Sequence, residues 1–362
     1  DTFMSPDSIQ AAKAKNSAIT TFSDTMPYND MGDACSYGIL MNQEKAPLDK
    51  VEVRWALALS LDLQSAGINA LNGQFKASAL PMSDTHILRP LYFDPLLPWL
   101  KDFKLADGYQ PFNASFATSL TDRLKSMGTS TSELPPSASD AFGLGWWKYA
   151  PEEAEKLLNS VGIKKNSAGD YTLPDGSVWQ PELVIPGDWN KVMERIGFSI
   201  ADSWHKAGIK VNTRQVDNGE FTTVQNTNAK LTMELNWNSC VFNSNYLNSW
   251  RSIQPENLKP ANSTDALNGN PFRWNNPTVS SLLTASERLD TTSQPFIANG
   301  QAISKEFIKD MSYINLMNIP TTVPTNSYFW KNFPKQNSYY SAPYTWWSSA
   351  KKIVLNVQPT GK

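Results

Sequence analysis

Apolar positions follow two different spacings along this chain of 362 residues, and together they predict a mixed α/β protein. Helical spacing occurs over about 50–71 and again near 190–206, where Val192, Ile196 and Ile200 share one face. Short apolar runs between turn residues, such as ELVIP and IKVNTRQV, predict strands. Helices and strands alternate along much of the chain, and this order is typical of an α/β fold.

Further helices and strands complete the predicted set. Helices are predicted over SPDSIQAAKAK, with Ser5 as its cap, and over APEEAEKLLNSVG, NNPTVSSLLTASERLD and PFIANGQAISKEFIKDM. Strands are predicted for SAITTF, CSYGILMN and INLMNIPTTVPT, and a hairpin around the turn Asp175-Gly176. Another strand is predicted to end at Trp237, where an uncharged loop begins. Residues 72–147 show little periodicity and are predicted to form long, packed connections without regular structure.

Charge and composition exclude several classes of function. The net charge is −2 and no basic cluster exceeds two residues, so nothing favours nucleic acid. No run of eighteen apolar residues occurs, which excludes a spanning helix. Two histidines and two cysteines do not make the common zinc sets, and we expect neither a metal nor a cofactor. Cys35 and Cys240 form either one disulfide, if the protein is exported, or two buried free thiols.

Several segments resemble family 5 of the extracellular solute-binding proteins, the dipeptide/oligopeptide-type receptors of ABC transporters. The segment QEKAPLDKVEVRWALALSLD and the asparagine before it follow the family pattern N-x-x-x-P-[FL]-D-x-V-x-V-R-x-A-L-x-x-x-x-D, allowing one extra residue after the asparagine. The matching residues are Asn42, Pro47, Leu48, Asp49, Val51, Val53, Arg54, Ala56, Leu57 and Asp62. YAPEEAEKLLNSVG, the unit ending in WHKAGIKVNTRQVD, and FRWNNPTVSSLL follow in the family's order.

The resemblance implies a periplasmic-binding-protein-like fold of class II, cluster C type, in which two lobes close on a ligand about a hinge. It implies 1–42 as the partial end of the first lobe and the start of the hinge, and 43–320 as the second lobe. Residues 321–362 then return across the hinge and end in the first lobe. Such receptors begin with a further stretch that builds most of the first lobe, and DTFMSPDSIQ has no signal-peptide pattern. The chain is therefore expected to lack that N-terminal part.

The same resemblance implies where and with what the protein works. We expect a monomeric receptor that is periplasmic or extracellular, either free or lipid-anchored through the absent N-terminal part. Its partners would be that part of the same protein, a small-molecule ligand and an ABC-transporter permease. No nucleic acid partner is expected.

The ligand class is inferred from one difference between this chain and the family's peptide-binding members. Those members place an aspartate a few residues after the loop tryptophan, where it neutralises the terminal ammonium of the peptide. Here Trp237 is followed by NSCVFNSNYLNSW, and no acid occurs before Glu256. This difference favours a neutral oligosaccharide of cello-, manno-, xylo- or chito-type. Sugar rings pack on indole faces, and their hydroxyls donate and accept hydrogen bonds, as asparagine side chains do.

The predicted ligand contacts share a position at a strand end or in the aromatic tail, which resembles the hinge-proximal segment of the oligosaccharide-binding branch. They are Trp237, Asn236 and Asn238 at one strand end, Asp188 and Trp189 at the junction IPGDWN, and Trp330, Tyr344, Trp346 and Trp347 in the tail. Core packing is predicted instead for Trp55, Trp146, Trp179, Trp204 and Trp274. Arg251 is expected in an ion pair.

Three other functions remain as alternatives. An oligopeptide, dipeptide or nickel-chelate receptor is the alternative within the family, since the absent lobe would supply counter-charges. An enzyme is not predicted, because no GxSxG, P-loop, HExxH or CxxC occurs and neither His86 nor His205 belongs to a triad pattern. Paired carboxylates of a glycoside hydrolase would leave no mark in the spacing, however. A pure interaction module is disfavoured by the aromatic residues of the predicted cleft.

Overall fold

The computed structural model describes residues 6–28, 35–187, 190–221, 232–241, 244–258, 270–320, 322–341 and 348–362. Its helices are α1 Pro6–Lys15, α2 Val51–Leu59, α3 Leu63–Leu71, α4 Asp94–Asp102, α5 Phe116–Ser126, α6 Ala138–Phe142, α7 Pro151–Ser160, α8 Lys191–Lys206, α9 Leu247–Trp250, α10 Pro277–Ser286, α11 Gln294–Lys309 and α12 Ser348–Asn356. One π-helical turn, Arg89–Phe93, and the 3-10 turns Arg251–Ile253 and Pro255–Asn257 join them.

The strands are mostly short. They are β1 Ile19–Thr20, β2 Cys35–Met41, β3 Phe112–Asn113, β4 Trp146–Trp147, β5 Lys164–Lys165, β6 Tyr171–Thr172, β7 Glu182–Pro186, β8 Asn212–Val216, β9 Met233–Cys240, β10 Tyr313–Asn318, β11 Thr325–Asn326, β12 Trp330–Lys331 and β13 Gln358–Pro359. The longer ones assemble into one central sheet, and the two-residue strands form separate pairs such as β1 with β11.

A five-stranded mixed sheet in the order β10-β2-β9-β7-β8 organises the described chain. β7 runs parallel to β8 and β9, whereas β2 runs antiparallel to β9 and β10. β7, β8, β9 and β10 therefore all end at the same edge, which we call the carboxyl edge. Its last strand residues are Pro186, Val216, Cys240 and Asn318. Open α/β sheets bind their ligands at such an edge, so it is the first place to look for a site.

Helices cover both faces of this sheet. α8 lies directly on one face, since a Cβ placed on Gly197 would lie 2.8 Å from the side chain of Ile185 in β7. α11 packs on the other face, where the ring of Phe307 lies 5.2 Å from that of Tyr313 in β10. Tyr313 stands in register with Val184, so these two side chains lie on the same face of the sheet. Ile185 follows Val184 and points to the opposite face, because successive strand residues alternate sides. Helices α8 and α11 therefore pack on opposite faces. One large apolar cluster joins the helices and strands.

The α/β fold class is confirmed, and the strongly periodic segments form the expected elements. α7, α8, α10 and α11 match predicted helices, and β1, β2, β7, β8 and β10 fall in predicted strands. The predicted turn is also present, because the N–H of Leu173 donates to the carbonyl of Ser177 at 2.8 Å around Gly176. Ser5, the predicted cap of α1, lies outside the described residues. Within them every helix is too short or too polar to cross a membrane.

The prediction of one continuous helix over 50–71 is wrong. The segment forms α2 and α3, which are separated near Asp62. The carboxylate of Asp62 accepts a hydrogen bond from the N–H of Ser65 at 3.0 Å and so caps the start of α3. Arg54 is also buried, and it donates to the carbonyls of Leu48 and Asp310. Helix α2 is therefore a core helix and not a half-exposed one.

The prediction that residues 72–147 lack regular structure is wrong. They contain the π-helical turn, α4, α5, α6, β3 and β4. Three prolines lie in α4 and the turn before it. They argued against a helix in the sequence, because proline usually ends a helix. Pro95 falls in the first turn, where no N–H is needed, but Pro98 lies inside the helix. Leu96 and Leu100 are buried there, which indicates that tertiary packing offsets the lost hydrogen bond.

The proposed division into lobes stays a prediction, but two observations bear on it. β2, which belongs to the predicted segment 1–42, is the second strand of the central sheet. β1 pairs with β11, so the segments predicted to leave and re-enter the hinge lie side by side. Thr20 and Thr325 join them through their hydroxyls at 3.0 Å.

Candidate ligand-binding site

A disulfide fixes the strands that carry the candidate site. Cys35 and Cys240 are bonded, and their Cα atoms lie 3.9 Å apart across the β2–β9 ladder. The first of the two alternatives for these cysteines is therefore confirmed. The bond closes a loop of 205 residues, so it restricts the unfolded chain strongly. It also holds the end of β9 at the carboxyl edge.

Trp237 is the exposed aromatic residue of this strand. The four residues before it in β9 are buried, whereas 41% of Trp237 is exposed. It stands opposite the buried Tyr37 of β2. The prediction that the strand ends at Trp237 is wrong, because β9 continues to Cys240. The backbone of Trp237 is thus held by a paired strand and not by a loop, which places its indole at the carboxyl edge.

Asn238 lies in an irregularity of the β2–β9 ladder, and its side chain is held by an uncharged network. Its Oδ1 accepts a hydrogen bond from the hydroxyl of Ser36 at 3.0 Å, and its Nδ2 donates to Oδ1 of Asn315 at 2.7 Å. Asn315 in turn donates to the carbonyl of Leu80 at 2.6 Å. A Cβ on Gly38 would lie only 2.3 Å from Nδ2 of Asn238, so this geometry requires glycine. We call Ser36, Asn238 and Asn315 the asparagine network.

Asn236 does not reach the surface. Only 1% of it is exposed, and its Oδ1 accepts from the N–H of Trp237 at 2.7 Å. Two residues earlier on the same face, Glu234 is fully buried, and neither of its oxygens has a hydrogen-bond partner. Burial raises the pKa of Glu234 well above its ordinary value, although the amide of Asn236 opposes this slightly. Glu234 and Asn236 are therefore two buried polar side chains on the face of β9 opposite to the exposed tryptophan.

Of the remaining predicted contacts, one lies within the described residues and five lie outside them. Trp330 in β12 is exposed, and its backbone stands opposite Pro359 of β13. Asp188, Trp189, Tyr344, Trp346 and Trp347 lie outside the described residues. The tryptophans predicted to pack in the core, Trp55, Trp146, Trp179, Trp204 and Trp274, are all buried, which confirms that prediction. Arg251 pairs with Glu287 at 3.5 Å, as expected.

A second group of polar residues at the carboxyl edge was not predicted from the sequence. Lys76 and Asp84 are almost completely buried beyond β10, with the ammonium 3.4 Å from a carboxylate oxygen. Nε and Nη2 of Arg89 donate to the two oxygens of the same carboxylate. The side chain of Asn318, the last residue of β10, accepts from the N–H of Asp84 and donates to its carbonyl. The end of β10 thus holds this cluster in place.

The cluster lies beside a cavity of about 320 Å³, which we call the Tyr339 pocket. Its walls are Phe22, Lys76, His86, Arg89, Asp140, Gln336 and Tyr339. Burial lowers the pKa of Lys76 to about 8, and the nearby carboxylate of Asp84 limits the shift. Burial, together with the charge of Lys76, also lowers the pKa of His86, which favours its neutral form. A neighbouring cavity of about 220 Å³ shares Phe22, Asp140 and Gln336.

A larger cavity among the described residues lies elsewhere. It has about 470 Å³ and contains Asp62 and Trp147 in its wall. Asp62 lies away from the carboxyl edge, because its N–H donates to the hydroxyl of Ser203, near the far end of α8. α8 begins at the carboxyl edge and runs away from it for 16 residues, which is about 24 Å. Cavity volume alone therefore does not identify the ligand site in this protein.

The sequence matches a known family over most of its length. Residues 2–257 match the profile described as the middle part of bacterial extracellular solute-binding proteins, family 5. The chain belongs to this family. No curated protein gives a significant match.

Solved structures of solute-binding proteins share the fold of this family 5 chain. A mannohexaose-bound periplasmic oligopeptide-binding protein of an ABC transporter from Thermotoga maritima has a TM-score of 0.71 and 20% identity, covering 99% of this chain and 58% of that one. NikZ from Campylobacter jejuni, in complex with Ni(L-His), has a TM-score of 0.58 and 14% identity, with coverages of 91% and 52%. AppA from Bacillus subtilis, in complex with a nonapeptide, has a TM-score of 0.56 and 17% identity, with coverages of 86% and 50%. The chain therefore spans little more than half the length of these proteins.

The residues that sequence reasoning missed in this family 5 chain carry weak local signals. Lys76 and Asp84 lie in the segment 72–147, whose periodicity is low, and neither occurs in a recognisable motif. Tyr339 belongs to the aromatic tail but was not selected from it. His86 was noted only for having no triad pattern. Among the described residues, no group of three or more His, Cys, Asp and Glu side chains is arranged to hold a metal ion.

Proposed function

We propose that this chain forms one wall of the ligand cleft of an ABC-importer receptor that captures a neutral oligosaccharide. The observation that carries the proposal is the exposed indole of Trp237 at the carboxyl edge, next to the uncharged asparagine network. An indole face accommodates the apolar face of a sugar ring. Amide groups donate and accept hydrogen bonds from one side chain, as sugar hydroxyls require.

The absence of charge near Trp237 supports a neutral ligand over a peptide. A bound peptide brings a terminal ammonium, and burying it without a counter-charge is costly. From Asn236 to Trp250 the sequence contains no charged residue. The mannohexaose in the Thermotoga maritima structure is a ligand of the proposed class, although its 20% identity supports only a shared fold.

In this proposal the ligand is enclosed when two lobes close about a hinge, and the closed receptor then meets the permease of the importer. The protein would act outside the cytoplasm, in keeping with a family described as extracellular. Besides Trp237, the proposed contacts are Asn238 at its accessible side and Trp330. Asp188, Trp189, Tyr344, Trp346 and Trp347 remain proposed contacts from the sequence alone. Asn236 would act from beneath, by orienting the backbone of Trp237.

A receptor for peptides or nickel chelates is the second candidate. Solved relatives of the same fold are bound to a nonapeptide and to Ni(L-His). The charged cluster of Lys76 and Arg89 is the local feature that would meet a ligand carboxylate. This candidate predicts the opposite ligand preference from the first one, so a single experiment separates them.

The test is a thermal-shift panel on the full-length protein. It compares cello-, manno-, xylo- and chito-oligosaccharides with di- to pentapeptides and nickel–histidine. A ligand at a hundred times its dissociation constant should stabilise the protein by about 2.7 kcal/mol. We expect shifts with one or more sugar series; shifts with peptides or nickel–histidine alone would reject the oligosaccharide proposal.

The site is tested by Trp237→Ala. We expect this variant to bind the best oligosaccharide about a hundredfold more weakly, since about 2–3 kcal/mol of aromatic contact is lost. Phe198→Ala is the matched control, because Phe198 is 43% exposed but lies on α8. If Trp237→Ala binds as tightly as Phe198→Ala, the ligand does not contact this strand end.

A further inference from the structure

We propose that the Tyr339 pocket is a second subsite of the same cleft and holds a neutral, hydroxyl-rich end of the ligand. This inference rests on the proposed oligosaccharide function but uses different residues. The pocket is lined by aromatic rings and by an internally balanced set of charged groups at the carboxyl edge. Each of these features restricts the ligand class independently.

The charges around the pocket cancel. Lys76 and Arg89 contribute two positive charges, and Asp84 and Asp140 contribute two negative ones. Beside the neighbouring cavity Lys335 pairs with Asp24 at 3.6 Å, so these two charges also balance. A carboxylate or ammonium entering the pocket would therefore bring an uncompensated charge, which is costly in a partly dry site. A neutral ligand carries no such penalty.

The polar groups of the pocket offer both donors and acceptors. The buried ammonium of Lys76 has three N–H groups, and its contact with Asp84 is long, at 3.4 Å. Asp140, whose side chain is 67% exposed, accepts from Arg89 at 3.3 Å and presents further lone pairs to the cavity. A hydroxyl can accept from the lysine and donate to the carboxylate at the same time. Such a mixed set favours a polyol over an apolar ligand.

Aromatic rings form the other walls of the pocket. The ring centroid of Tyr339 lies 4.6 Å from that of His86 and 6.2 Å from that of Phe22, and both neighbours meet it edge-on. Tyr339 is 44% exposed, so these edge contacts support its ring and leave surface for a ligand. A sugar ring presents an apolar face to such a wall while its hydroxyls reach Lys76 and Asp140.

The strand register gives the backbone separation between Trp237 and the residue next to Lys76 of the pocket wall. Trp237 stands opposite Tyr37, Tyr37 opposite Met317, and Met317 opposite Ala77, the residue after Lys76. Three strand spacings separate the two ends of this row, which is about 14 Å. A monosaccharide does not bridge this distance. A ligand that stacks on Trp237 and also fills the Tyr339 pocket must therefore contain several sugar units.

The experiment measures how affinity depends on ligand length in the full-length protein. Manno- and cello-oligosaccharides from the disaccharide to the hexasaccharide are titrated calorimetrically into the wild type, Tyr339→Ala, Lys76→Met and Tyr328→Ala. Tyr328 is the matched control, since it is 48% exposed and lies in the same segment but packs against Phe329. We expect Tyr339→Ala and Lys76→Met to bind the longer sugars about tenfold more weakly and disaccharides unchanged. Tyr328→Ala should match the wild type at every length.

The possible failures are distinguishable. If Trp237→Ala loses sugar binding while Tyr339→Ala and Lys76→Met bind all lengths like Tyr328→Ala, the second subsite is rejected and the proposed function stands. If the wild type binds no saccharide, the proposed function is rejected and this inference with it. If the two variants weaken peptides instead of sugars, the pocket holds a charged ligand end and the assignment to a neutral one is wrong.

Discussion

The end of β9 and the Tyr339 pocket lie on the same edge of the sheet, but they are built in different ways. Trp237 and its neighbours come from one continuous, uncharged stretch of sequence. The pocket is formed by distant segments of the chain, which contribute Phe22, Lys76, Arg89 and Tyr339. More than 300 residues separate Phe22 from Tyr339. The stretch from Asn236 to Trp250 contains no charged residue, whereas the pocket contains four charges that cancel. Both arrangements favour a neutral ligand, and they differ in how they respond to substitution.

The largest effect is expected where a buried charge loses its partner. Asp84→Asn leaves the buried Lys76 without its carboxylate and replaces one of the two oxygens that accept from Arg89 by an NH2 group, which should lower the free energy of unfolding by about 3–5 kcal/mol. Chemical denaturation measures this. Asp140→Asn is the control, because its exposed pair with Arg89 should contribute less than about 1 kcal/mol. Equal effects of the two variants would mean that the buried cluster is not the stabilising unit.

The disulfide should matter nearly as much for the uncharged region. Replacing both Cys35 and Cys240 by serine should lower the free energy of unfolding by about 2–5 kcal/mol, since the bond constrains a long loop in the unfolded chain. Denaturation with and without a reductant measures the loss. The reductant should destabilise the wild type and leave the double variant unchanged; a wild type indifferent to reduction contradicts the expectation.

A smaller effect is expected at Gly38. Gly38→Ala should destabilise the protein by about 1–3 kcal/mol, because the added Cβ would clash with the amide of Asn238 and lie 2.9 Å from the carbonyl oxygen of Ile314. Adding Asn238→Ala should recover part of this loss, and a double-mutant cycle measures the recovery. Purely additive losses would show that the asparagine network does not set the geometry of the strand end.

The smallest effect concerns pH. The pKa of Glu234 is raised in the folded state by burial, so below its unfolded pKa the carboxyl is protonated in both states and carries no penalty. As pH rises above the unfolded pKa, the carboxyl of Glu234 ionises in the unfolded state but not in the folded state. The free energy of unfolding therefore falls with pH until the folded pKa is passed. Glu234→Gln should remove this decline. We expect the variant to be more stable than the wild type at pH 7 and similar to it near pH 4.

Lys76 gives the opposite dependence in a different pH range, which sharpens the comparison of the two regions. Its pKa is lowered to about 8 in the folded state by burial, below its ordinary value of 10.5. Between pH 8 and 10.5 the lysine binds more protons in the unfolded state than in the folded state. The free energy of unfolding therefore rises with pH over this range, and this gain is lost as pH falls to about 8. Denaturation of Lys76→Met between pH 7 and 10 should lack that rise.

Local sequence was a reliable guide wherever a segment had strong periodicity or a capping residue. α8 was predicted from Val192, Ile196 and Ile200 because a helix with one apolar face needs little more than that spacing. The break between α2 and α3 was missed because the apolar pattern continues through it, whereas Asp62 caps a new helix there. The strand that contains Trp237 is longer than predicted, since asparagines that favour loops are satisfied here across the sheet.

The sequence by itself determined the fold class, the family and the uncharged character of the stretch around Trp237, because these depend on periodicity, motif order and residue type. Only the tertiary structure decided that Cys35 and Cys240 are bonded, that Asn236 is buried, and that Lys76, Asp84 and Arg89 meet beside Tyr339. The physical reason is that these features depend on strand register and long-range packing. Register sets which residues face each other across the sheet, and no local pattern records it.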